Sequence, residues 1–139
     1  MADLSITAAS VLADTGSTTV SGTYGATVTA GETVYKDVAD SNKWKPADAN
    51  VSAAVAGSGG FGIALNGGAD GQPADVLTAG LYTVGAAVLV GVTYVLSATA
   101  GGIAPDADIS SGSYKTVIGV ATTTAKVQVT PILSGETLA

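Results

Sequence analysis

Residues 91–135 leave no room for a long helix. Short β-branched runs at 94–96, 116–120 and 127–129 alternate there with the turn clusters Ala100-Gly101-Gly102, Ser110-Ser111-Gly112 and Ser134-Gly135. Runs this short, bounded by glycine and serine, read as closely spaced strands joined by tight turns. The same punctuation begins upstream, with strand signals at 26–29, 33–36, 61–65, 76–77, 81–84 and 87–90, and one short helical turn at 53–56. In the tail, Lys126, Gln128 and Thr130 alternate with Val127 and Val129, which puts one face in water and the other in a core. Pro131 has no N–H to give a ladder, so this strand ends there or lies at a sheet edge. The expected fold is all-β, a small single domain of barrel-like or sandwich form.

Two stretches of the chain echo each other. Gly31-x-Thr33-Val34-Tyr35 is matched by Gly91-x-Thr93-Tyr94-Val95, and Pro46-Ala47-Asp48 by Pro105-Asp106-Ala107-Asp108, with equal spacing from Gly31 to Asp48 and from Gly91 to Asp108. Gly62-Ile63-Ala64 then corresponds to Gly119-Val120-Ala121, and Val76-Leu77-Thr78-Ala79-Gly80 to Ile132-Leu133-Ser134-Gly135. One reading is two pseudo-repeated β units packed as halves of a barrel. The other is that turn chemistry reuses the same few residues, and the sequence leaves both open. Residues 1–22 stand apart as an N-terminal strand or arm, ahead of a glycine-rich β domain at 23–139.

These words also resemble those of the small head decoration, or cement, proteins of tailed bacteriophages. The likeness is carried by Gly91-Val92-Thr93-Tyr94-Val95-Leu96-Ser97, by Gly101-Gly102-Ile103-Ala104-Pro105 with Asp108 behind it, and by Ile118-Gly119-Val120-Ala121 followed by Leu133-Ser134-Gly135. The upstream words from Thr29 to Tyr35 and the opening from Ala2 to Ala13 extend it over most of the chain. The resemblance implies a non-enzymatic, β-rich virion protein on the outer capsid surface, bound between major capsid protein subunits and commonly trimeric.

Composition narrows the chemistry independently. The 139 residues include no His, Cys or Arg, and the five basic residues are all lysines. That removes the usual general base near neutral pH, thiolate chemistry, imidazole or thiolate metal ligation and bidentate phosphate binding. No catalytic, cofactor-binding or metal site is expected, and no small-molecule substrate. A net charge of −6 argues against nucleic acid and anionic membranes as partners. The stretch between Asp75 and Asp106 is uncharged and longer than a membrane helix needs, but glycines and threonines punctuate it throughout, which favours buried strands. Residues 1–13 carry Asp3 and no basic cluster, so they do not read as a secretory signal. With one Phe, one Trp and one Met, the core must be built of small side chains, each burying little area.

The local motifs favour plain readings. Gly57-Ser58-Gly59-Gly60-Phe61-Gly62 satisfies a dinucleotide fingerprint in letters, yet Asn66-Gly67-Gly68 would stop the helix that fingerprint requires. Asp106 and Asp108 have the spacing to share a cation, but aspartate in a turn bonds its own backbone, and both are expected to face solvent. Lys43-Trp44-Lys45-Pro46 is the one aromatic-basic cluster. It either anchors an interface through Trp44 or closes one end of the barrel with its lysines solvated. The candidate capsid or subunit interface is therefore Leu4, Ile6, Val11, Leu12 and Trp44, the first four on an extended segment able to add to a neighbouring sheet edge. The rival function is a tail-fibre or spike module binding host glycans, which needs exposed aromatics gathered in one groove.

Overall fold

Glycine-marked turns and β-branched runs put nearly all the regular structure into antiparallel strands, curled into a half-barrel. The structure is a computed structural model and describes residues 3–139; residues 1–2 of the N-terminal segment lie outside it. The strands are β1 (Leu12–Ala13), β2 (Thr18–Thr23), β3 (Thr33–Asp37), β4 (Lys43–Pro46), β5 (Phe61–Ala64), β6 (Pro73–Thr83), β7 (Thr93–Leu96), β8 (Ile103–Pro105), β9 (Tyr114–Ala121) and β10 (Lys126–Thr137). Short helical turns sit at Ala8–Ser10, Ala54–Ser58 and Asp106–Asp108.

The strand order is β4-β3-β5-β6-β10-β9-β7-β8, with β1 and β2 both on β6. Read from either end, this order is the same walk: a hairpin, a third strand, a closing strand. Register makes the duplication residue-specific. Thr33 faces Ile63 and Val34 faces Gly62, as Thr93 faces Val120 and Tyr94 faces Gly119. Gly31 donates to the Ala64 carbonyl and Ala64 to that of Glu32; Gly91 donates to Ala121 and Ala121 to Val92. Turn chemistry alone does not reproduce a ladder, so the chain contains two equivalent β units.

Two details of the alignment change. The pairs Ala64–Val76 and Ala121–Val127 make Val76 the counterpart of Val127, so the match of residues 76–80 to Ile132-Leu133-Ser134-Gly135 is out of register. Val34 faces Pro46 and Tyr94 faces Pro105, which aligns the prolines and places Asp48 opposite Ala107 rather than Asp108.

The stretches 26–29 and 87–90 are loops, not strands, closed by Gly31 and Gly91 at φ +94° and +83°. Their apolar content still serves packing, since Val28 and Val88 are buried. The signals at 76–77 and 81–84 belong to one strand, because Gly80 at φ +110° bends β6 without ending it. β6 therefore serves twice: its first half closes the first unit against β2, and its second half opens the second unit against β10. Pro131 likewise marks an edge. Pairing of β10 with β6 stops at Val129, while β10 runs on beside β9 to Thr137.

The main core gathers Ile63, Leu77, Tyr82, Val84, Tyr94, Leu96, Ile103, Ile118, Val127 and Val129. A smaller one holds Tyr24, Val28, Val34, Trp44, Ala64, Ala74 and Val76 inside the first unit. The uncharged run from Val76 to Pro105 supplies most of β6 and all of β7 and β8, and no helix among the described residues is long and apolar enough to cross a membrane.

Candidate interaction surface

Two of the strand edges that lack a strand partner among the described residues stand out. β2 pairs with β6 on one side only, and every residue of Thr18–Thr23 is exposed. The second half of β10 pairs with β9 alone, and exposes Ile132 at 60% and Leu133 at 37%. Neither stretch carries a lysine, a common guard of open edges. Pro131 blunts only the start of the second.

The outer sheet face is also weakly charged. Thr93, Val120, Gln128 and Leu81 stand opposite one another across β7, β9, β10 and β6, with Leu12, Thr83 and Lys126 in the row beyond. Val120 is 41% exposed and Leu12 67%.

Most of the cations are spent within the chain. Lys43 reaches Asp70 at 3.3 Å, Lys45 reaches both Asp37 and Asp40 at 2.9 Å, Lys126 reaches Asp14 at 2.7 Å, and Lys115 pairs with Asp106. The hydrogen bond from Lys45 holds the Asp37 carboxyl below the usual range, and the two aspartates hold Lys45 above its own. Lys36 is different: among the described residues it pairs with no carboxylate, and its Nζ stands 5.6 Å from the centre of the Trp44 ring.

Of the five residues singled out from sequence, only Leu12 is exposed. Leu4, Ile6 and Val11 pack against the main core of their own chain. Leu4 donates its N–H to the Ile103 carbonyl and Thr7 donates to Gly85, so residues 4–7 span the gap between the β7–β8 hairpin and the end of β6. Trp44 is 3% exposed, and its backbone carbonyl accepts from Gly25. Tyr24, Tyr82 and Tyr94 are buried as well, so the aromatic groove expected of a glycan-binding module is not assembled from them. Tyr24 gives its hydroxyl proton to Asn66, and burial, helped by Asp75 and Glu32, pushes its pKa up to about 12.

Asp106 and Asp108 do not both face solvent. They form the helical turn after β8, Asp106 is tied to Lys115, and both are partly buried. Among the described residues no cluster of three or more acidic side chains is placed to hold a metal ion. The glycine-rich stretch after residue 57 leads from a helical turn into β5, with Gly57 and Gly60 at φ +108° and +150°. A strand comes next, rather than the helix N-terminus a pyrophosphate needs.

Sequence reasoning missed Ile132, Leu133, Val20 and Val120 as surface apolar groups. Pro131 was the available signal for the first two, since a residue that cannot donate to a ladder marks where the strand becomes an edge. No protein-family model matches the chain, and no curated protein matches it.

Proposed function

We propose that this chain is a structural virion protein that decorates a tailed-bacteriophage head, seated on the outer capsid surface between major capsid protein subunits as a homotrimer. Support comes first from the sequence words shared with head decoration proteins. The structural observation that carries the reading is an all-β domain whose open edges and outer sheet face carry few charges, while most of its lysines are committed to internal ion pairs. Such a surface suits attachment through shape and main-chain pairing. Several modest contacts per oligomer then sum to firm binding.

The test is co-sedimentation of the purified chain with heads of the cognate phage that lack decoration. Saturable binding at a fixed ratio to capsid subunits is expected, with micrographs placing density between subunits on the outer surface. Absence of binding to heads in every maturation state overturns the proposal.

A further inference from the structure

The two units differ at one equivalent place. In the second, residues 4–7 lie between the opening strand and the hairpin, with Leu4 bonded to Ile103 and Thr7 to Gly85. Ile6 seats against Gly31 and Gly85 there. In the first, the opening strand is β2 and the hairpin is β3–β4. They meet directly only at one end, through the Tyr24–Trp44 bridge and the bond from Gly25 to Trp44. Beyond that end they part around a cleft of about 290 Å³, lined by Val20, Ser21, Lys36, Asn42 and Trp44. The direct bond closes in the first unit the place that residues 4–7 fill in the second; what the first unit lacks is a counterpart of β1, which covers the outer edge of β6 at Tyr82 and Thr83 while the matching edge of β2 stays open.

The second half of β10 is the matching surplus. It continues from the closing strand of the second unit and stays paired with β9 to Thr137, whereas the second half of β6 leaves β5 and passes between β1 and β10. The edge of this half of β10 away from β9 has no partner among the described residues. Its exposed apolar groups are Ile132 and Leu133, and its one charge is Glu136. The cleft offers apolar Val20 and the edge of Trp44, and its one charge is Lys36. Opposite charges therefore stand at two otherwise uncharged, hydroxyl-rich edges, Glu136 on β10 itself and Lys36 on β3 across the cleft from β2.

We propose that the cleft beside β2 binds the second half of β10 from a second copy of this chain. The incoming strand adds to the open edge of β2, one of Ile132 and Leu133 enters the cleft, and Glu136 meets Lys36. The contact is heterologous, since the donor's own cleft stays free for a third copy. One contact type repeated around a ring covers both of these edges, which no self-complementary pairing of a single edge does. This assembly rests on the fold alone and does not depend on capsid decoration.

Sedimentation velocity of the full chain tests it without capsids. The wild type should form a discrete oligomer. Lys36→Glu and Glu136→Lys should each dissociate tenfold or more readily, and the two changes in one chain should restore association, because the pair is then reversed rather than broken. Val20→Glu and Ile132→Lys should each be monomeric, while an equimolar mixture forms a dimer and nothing larger, since each variant keeps one of the two surfaces. Melting curves of each variant establish that it is folded. Because the chain has no cysteine, Ser21→Cys with Ser134→Cys gives a second readout: oxidation should link copies into a ladder ending at the ring. A wild type monomeric at every accessible concentration, or an Ile132→Lys variant that still self-associates, overturns the proposal. Monomers whose Lys36→Glu variant loses capsid binding would instead assign the cleft to the capsid protein.

Discussion

Gly119 lies so close to Gln128 that a Cβ on the glycine would overlap the Gln128 carbonyl oxygen. Its counterpart Gly62 stands in the same relation to Leu77, with the carbonyl 2.5 Å from the added carbon. Both glycines lie on the third strand of a unit where it meets the closing strand, and both are buried. Gly119→Ala and Gly62→Ala should each cost about 1–3 kcal/mol, the usual range for overpacking. Urea midpoints measure it. An unchanged midpoint in either variant would mean that the two strands part more easily than their packing implies.

Trp44→Ala should cost about 3–5 kcal/mol, because the ring is the largest group in the smaller core and nothing nearby can refill its volume. The wild-type indole should emit as a buried one and shift red only on unfolding. Emission at solvent-exposed wavelengths in the native state would contradict the packing of the first unit.

The alternation visible at Lys126, Val127, Gln128 and Val129 gave the burial pattern of that strand correctly, and the paired glycines at 31 and 91 did mark equivalent loops. Those signals are local, set by backbone period and turn geometry. What escaped was decided by distant partners. Whether Gly80 ends a strand or only bends it depends on whether β2 and β10 lie alongside, and nothing near Gly80 in sequence reports that. The sequence reads Trp44 as closing one end of the barrel rather than as an anchor, but does not report that Tyr24 sits beside it. Leu4 and Ile6 showed the alternation of a strand, but not that the groove they fill lies in their own chain.

The N-terminal segment should accordingly act on stability. Ile6→Ala removes a side chain wedged between Gly31 and Gly85 and should cost about 2 kcal/mol. Leu12→Ala, on an exposed side chain, should stay within about 0.5 kcal/mol of wild type. Thermal melts of the two variants compare them directly. Equal effects would mean that residues 3–13 leave the domain in solution.

Alkaline pH should destabilise the fold through its tyrosines. In an unfolded chain a tyrosine ionises near its ordinary value of 10.0, whereas Tyr24 holds its proton to about 12 and buried Tyr82 holds its own still more firmly. As pH rises through that interval only the unfolded state releases these protons, so stability falls with rising pH. Absorbance titration should show the two phenolates appearing together with loss of structure. Ionisation of all five tyrosines near 10 in a chain that remains folded would contradict the burial.

The doubled use of β6 has a mechanical meaning. A strand shared end to end is a splice, and tension or heat that frays one unit strips hydrogen-bonding partners from the other. A cut at Gly80 would give each unit its own half of the strand, but it would leave residues 4–14, which pair with Leu81 to Gly85 and with Ile103, on the wrong piece. A chain joined in this way yields as one body rather than unit by unit.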